Sequence, residues 1–124
     1  MKTLSLCLLI LISFAGCDTN ENNFRIHSVG AVEIVNVETT GNNVTVTVVY
    51  GTPTPCWYFE RNETSNNDLI YTSKVFAKDD GEPCIQVIDS FSVKEKITFS
   101  TFGEKTLRFW QNDSMYLDTV ITLE

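Results

Sequence analysis

The chain has 124 residues, 43% hydrophobic and 20% charged, with 9 Lys and Arg against 16 Asp and Glu and a net charge of −7. That length holds one domain and leaves no room for a linker and a second core. The acidic balance argues against nucleic-acid binding, which depends on Lys and Arg neutralising phosphates. The single histidine, His27, excludes a His-rich zinc site and leaves one candidate for any His-dependent catalysis.

Met1-Lys2 is a short positive start, followed by an apolar run from Leu4 to Ile12 and then Ser13-Phe14-Ala15-Gly16-Cys17. The run is too short to span ~30 Å of hydrocarbon as a permanent helix. It has the length and flanks of a secretory signal, and no polar face with which a surface helix would meet water. Two processing routes are open. Cleavage after Ala15 leaves Cys17, Cys56 and Cys84 in the mature chain, an odd set with one reactive thiol. Alternatively, Phe14-Ala15-Gly16-Cys17 resembles the lipobox of bacterial lipoproteins, with Phe14 where that family usually has Leu. The resemblance implies a diacylglyceryl group on the Cys17 thiol, cleavage just before Cys17 and acylation of its amine. It implies a lipid-anchored protein of the cell envelope, at the outer membrane or the periplasmic face. Several acyl chains at ~0.8 kcal/mol per buried methylene make a lasting anchor. Loss of Lys2 with the signal would take the net charge to about −8.

Asp18 to Asn23 is polar, turn-prone and without apolar periodicity, so the segment from Cys17 to Ser28 reads as a flexible tether. The expected organisation is therefore a signal peptide over 1–16, a lipidated cysteine and tether over 17–28, and one folded domain over 29–124.

From Ala31 onward β-branched and aromatic residues dominate, and turn clusters recur at the spacing of an all-β sandwich or barrel. Val32–Val37 is a first strand, Thr40-Gly41-Asn42-Asn43 a turn, and Val44–Tyr50 a strand with Val44, Val46, Val48 and Tyr50 on one face. Gly51–Pro55 interrupts, because neither proline donates to a ladder. Cys56–Arg61 resumes as a strand, Asn62–Asp68 reads as a polar loop, and Leu69–Lys78 as a fourth strand ended by Asp79-Asp80-Gly81-Glu82-Pro83. Cys84–Phe91, Lys96–Thr101, Lys105–Gln111 and Met115–Leu123 complete eight. Lys96–Ser100, Phe102–Phe109 and the final strand resemble the ending of bacterial immunoglobulin-like and fibronectin-III-like domains, which implies a single antiparallel β-sandwich of immunoglobulin-like type. That fold hosts many unrelated activities and transfers none.

Cys56 and Cys84 each follow a proline and open an expected strand. In an oxidising compartment they are expected to form a disulfide, worth roughly 3 kcal/mol for a loop of this length. Asp79, Asp80 and Glu82 gather carboxylates around Gly81, a weak candidate for calcium set against an ordinary hairpin turn. His27 precedes the first expected strand, and no Gly-x-Ser-x-Gly elbow accompanies it. Alternation puts Leu107 and Phe109 on one face and Arg108 and Trp110 on the other. Trp57 likewise opposes Cys56 and Tyr58. Exposed on a flat sheet, Trp57, Arg108 and Trp110 are candidate ligand contacts for a glycan or a protein. Asn43-Val44-Thr45, Asn62-Glu63-Thr64 and Asn112-Asp113-Ser114 match the N-glycosylation pattern, which the bacterial origin implied by the lipobox resemblance makes a chance match and which would matter only in a eukaryotic chain.

The expected function is a non-enzymatic, lipid-anchored binding or accessory module of the cell envelope, monomeric, without a cofactor or catalytic residues, and favouring basic or neutral partners. Two alternatives stand beside it. One is a carbohydrate-binding module that uses Trp110 and Trp57. The other is a small protease inhibitor that uses the proline-stiffened Gly51–Pro55 loop.

Overall fold

The computed structural model describes residues 24–124. The expected signal segment, Cys17 and most of the expected tether lie outside the described residues. Eight strands run in order: β1 (Arg25–Val29), β2 (Ala31–Thr40), β3 (Asn43–Thr52), β4 (Trp57–Asn66), β5 (Ile70–Asp79), β6 (Asp89–Thr98), β7 (Gly103–Asn112) and β8 (Met115–Leu123). They form an all-β sandwich of a five-stranded sheet and a three-stranded sheet.

Alternation builds the core. In β3, Val44, Val46, Val48 and Tyr50 are all buried, as the sequence predicts. This strand is the centre of the three-stranded sheet, with β2 on one side and β6 on the other. In the five-stranded sheet β5 is central and sends Tyr71, Ser73, Val75 and Ala77 inward. Strand β4 lies along one side of β5, and β1 and β7 share the other, β1 beside Val75–Asp79 and β7 beside Ile70–Ser73. The expected antiparallel pairing holds everywhere except between β5 and β7, which run parallel. The chain crosses from the five-stranded to the three-stranded sheet at Gly30. A Cβ there would lie 2.4 Å from the Gln111 carbonyl oxygen, so only glycine permits the approach.

The strand count agrees with expectation, but the strands differ. Arg25–Val29 is strand β1, so the sandwich begins before residue 29, inside the segment expected to be a tether. Strand β4 continues to Asn66, through most of the segment read as a polar loop. Residues Cys84–Ile88 are irregular, and the two strands expected over 84–91 and 96–101 are replaced by one, β6. The reason is the ladder: Asn43–Thr52 pairs residue for residue with Asp89–Thr98. Beyond Thr52 come Pro53 and Pro55, so residues before Asp89 have no neighbouring backbone to pair with.

Sequence alternation in β6 is disguised by Glu95, a carboxylate at an apolar register position. Glu95 is 4% exposed and lies between the sheets. It accepts hydrogen bonds from the Tyr71 hydroxyl at 2.6 Å, the Tyr50 hydroxyl at 3.1 Å and the Asn62 side-chain amide at 3.2 Å. Burial and the Glu95 charge push both phenols far above their ordinary value, so they remain neutral donors. Ser73 Oγ, fully buried beside them, has no hydrogen-bond partner among the described residues.

The two ends of the sandwich are built differently. At one end β1 begins, β3 ends, β4 begins, β5 ends and β6 begins; this is the N-terminal pole. At the far pole the β2–β3 turn, with Gly41 at φ 61°, meets the segment after β6, where the Asn42 amide donates to the Phe99 carbonyl at 2.6 Å. Asp68, at φ 73°, clamps the same segment. Its carboxylate takes the Ser100 N–H and the Thr101 hydroxyl, each at 2.5 Å. The Lys105 ammonium, 1% exposed, donates to the Asp68 carbonyl and to Thr101 Oγ1, stands 3.5 Å from the Asp68 carboxylate and lies over the Phe99 ring. The Thr101 hydroxyl, the Ser100 N–H and Lys105 hold the Asp68 carboxyl below the ordinary 3.8.

Two outcomes are expected. Glu95→Ala leaves two phenols and an amide without an acceptor, and should lose about 3 kcal/mol in urea unfolding, with Tyr71→Phe losing about 2 kcal/mol; an unchanged Glu95→Ala midpoint would remove the carboxylate from the stability of the core. Asp68 binds its proton more weakly when folded, so its contribution is present above the unfolded value near 3.8 and is lost as pH falls through the lower folded value. Asp68→Asn, which tolerates the positive φ, should be less stable at neutral pH and show a shallower fall in unfolding midpoint across that acidic window.

Candidate functional site

The N-terminal pole holds a cleft of about 460 Å³ whose walls include Arg25, His27, Thr54, Trp57, Asp79 and Cys84. The strand registers create it. Arg25 and Trp57 both stand opposite Asp79, one from β1 and one from β4, so the three share one row across the inner face. The Arg25 guanidinium donates to the Asp79 carboxylate at 2.9 Å and lies over the Trp57 indole, 5.7 Å from its centroid. His27, exposed, tilts against the same indole at 5.4 Å. The Gly81 N–H and then Arg25 hold the Asp79 carboxyl below its ordinary value, so it stays ionised and its charge is answered within the pair.

The Gly51–Pro55 loop forms one wall. Its two threonines turn inward: the Thr52 hydroxyl donates to the Thr54 carbonyl at 2.9 Å, and the Thr54 hydroxyl accepts from the Cys56 N–H at 3.3 Å. Pro53 and Pro55 are exposed. Cys56 and Cys84 form the expected disulfide, with Cα atoms 6.1 Å apart, and it ties this loop to the segment after β5.

Several residues singled out from sequence converge here, with altered parts. Trp57 is 8% exposed and fills the top of the core, so of the two faces alternation left open it takes the inner one and is not an exposed platform. Trp57 stands opposite the buried Asp79, so Tyr58, opposite Lys78, faces out, and Phe59, next to a bulge between Phe59 and Arg61, is exposed as well. The acidic residues diverge: Asp79 serves Arg25 and Gly81, while Asp80 accepts from the Tyr58 hydroxyl at 2.8 Å. Among the described residues no group of three His, Cys, Asp or Glu side chains is placed to hold a metal ion. Arg25, which organises the row, carried no local sequence signal, because its partner lies 54 residues away.

Arg108 and Trp110 lie elsewhere, on the outer face of the five-stranded sheet, opposite the buried Leu107 and Phe109 as alternation predicts. Trp110 is half-buried and stands opposite Tyr116, and Arg108 stands opposite Asp118. The face interleaves cations and rings. Arg61 lies 4.3 Å from the Phe76 centroid, Lys74 lies 4.7 Å from the Trp110 centroid and 5.6 Å from that of Phe76, and Arg108 lies 4.5 Å from that of Tyr116. Arg61 and Arg108 are paired to Glu63 and Asp118. Among the described residues Lys74 and Lys78 make no ion pair. Net charge predicted basic or neutral partners, yet this face carries two lysines that no carboxylate pairs among the described residues.

Replacing both Cys56 and Cys84 by Ala should lower the unfolding free energy by roughly 3 kcal/mol and speed amide exchange in residues 81–88 well before that of β3. Equal exchange in both variants would mean the bridge does not restrain the loop. No protein-family model, no curated protein and no solved structure matches the chain, so its function rests on the geometry above.

Proposed function

We propose that this chain is a non-enzymatic binding module, held at the cell envelope by lipid on Cys17, and that the outer face of its five-stranded sheet binds glycans. The observation that carries this reading is the interleaving of rings and cations made by Arg61, Phe76, Lys74, Trp110, Arg108 and Tyr116. Sugar rings present C–H faces that stack on aromatic rings, and hydroxyls that accept from ammonium and guanidinium groups. The long stem of Lys74 can move its charged head off the indole as a ligand arrives.

The anchoring part is supported by the lipobox-like Phe14-Ala15-Gly16-Cys17 and by the pairing of Cys56 with Cys84, which leaves Cys17 without a partner among the cysteines after the signal. The non-enzymatic part is supported by the state of the reactive groups. Asp79 is committed to Arg25, and among the described residues no hydroxyl or thiol hydrogen-bonds to His27. The Gly51–Pro55 loop supports the inhibitor alternative less, since its threonines face inward and only proline rings are offered to a protease.

Titration of the native protein with envelope polysaccharides should shift its Trp emission. Trp110→Ala should weaken binding about tenfold, and Trp110→Phe less. Trp57→Phe, at a buried position, should leave affinity unchanged. The glycan reading fails if no polysaccharide moves the emission or if Trp110→Ala binds as the parent does. Intact mass of the membrane-extracted protein beside Cys17→Ala tests the anchor separately.

A further inference from the structure

The segment between the disulfide and β6 exposes three large aliphatic side chains within four residues: Ile85 is 67% exposed, Val87 52% and Ile88 87%. Single exposed aliphatics need no explanation, but a contiguous apolar patch marks a surface that meets something. The loop is held in place, because Cys84 is bonded to Cys56 and the Gln86 side chain donates to the Cys84 carbonyl at 3.0 Å. Docking it therefore costs little ordering. Tyr58 and Phe59, at the start of β4, are exposed at the same pole.

We propose that this pole rests on the bilayer, with Ile85, Val87 and Ile88 in the interfacial region. The inference rests on the proposed Cys17 anchor and specifies which part of the domain the anchor holds to the membrane. The described chain begins at Phe24, directly before Arg25 at this pole. Six residues separate Phe24 from Cys17, and the seven steps between their Cα atoms, at ~3.5 Å each, reach about 25 Å at full extension. A ten-residue strand spans about 33 Å. The anchor therefore reaches the N-terminal pole and falls short of the far one, where Leu69 and Phe102 are also exposed. Tyr58 suits the headgroup level, where one end of the ring is apolar and the other wet. Asp80, Glu82 and Asp89 flank the loop and oppose anionic headgroups, so the surface that fits is zwitterionic. In this pose the strands stand on end, and the outer face of the five-stranded sheet stays uncovered.

The test uses the full lipidated protein in phosphatidylcholine vesicles that contain brominated lipid, which quenches nearby indoles. Ile88→Trp and Phe102→Trp, each in a Trp110→Phe background, place an indole at either pole while Trp57 contributes equally to both. The indole at position 88 should lose most of its emission, and the one at position 102 should keep it. Equal quenching at the two positions, with the protein floating on the vesicles and carrying lipid by mass, overturns the docking and leaves the anchor standing. If the parent and Cys17→Ala both lack lipid and neither floats, the anchor and the docking fall together.

Discussion

A carboxylate between two β-sheets is the constraint around which this domain is arranged. Removing Glu95 from water costs several kcal/mol unless donors replace the lost hydration. The donors come from both sheets: Tyr50 from β3 beside it, and Tyr71 and Asn62 from β5 and β4 across the core. A slip of one residue in β5 or β6 would turn a donor or the acceptor to the opposite face. The hydrophobic residues of the core, Val48, Val75 and Phe109 among them, would tolerate small displacements. The hydrogen bonds would not. Apolar burial thus supplies most of the stabilisation, and the polar cluster selects one alignment of the sheets.

The poles divide the remaining work. At the far pole three separate segments meet through short polar contacts centred on Asp68 and the buried Lys105. There Asp68 and Lys105 answer each other's charge, and side chains of Asn42 and Asp68 take up the Phe99 carbonyl and the Ser100 N–H. At the N-terminal pole the backbone runs past the ends of the ladders. A disulfide holds what hydrogen bonds do not, and a cleft opens over Trp57. Irregular backbone of this kind is where side chains can be presented outward, because no neighbouring strand dictates which way they point. The exposed Ile85, Val87 and Ile88 follow from that freedom.

The charge of the molecule also divides by place. A net charge of −7 describes the chain, yet four of its 9 cationic residues, Arg61, Lys74, Lys78 and Arg108, stand on or beside one face with aromatic rings beneath them. Rings hold cations through their π faces, at modest energy and without a carboxylate. This allows positive charge to persist on a sheet surface inside an acidic protein. The proposed ligand surface and the proposed membrane contact consequently occupy different parts of the domain and do not compete for residues.

Local pattern determined much of this protein. Period-two alternation in β3 and β7 told inside from outside, because the pleat imposes it residue by residue. The Gly41 turn and the proline breaks after β3 were legible for the same local reasons, and Cys56 and Cys84, each after a proline, pointed to each other. What alternation cannot convey is a polar side chain at an inward position, since its acceptability depends on partners far along the chain. Glu95, Lys105 and Asp79 each broke the apolar pattern and concealed the length of a strand or the identity of its face. Arg25 and His27 looked like part of a tether until β5 supplied the edge on which β1 pairs and Asp79 supplied the counter-charge. Alternation left open which side of β4 carries Trp57, and its pairing opposite the buried Asp79 of β5 decided it. Most of the strands were therefore written in the sequence, whereas β1, the bounds of β6, the strand ends, the buried charges and the cleft were decided by tertiary pairing, because a buried polar group is stable only where the whole fold brings its partners.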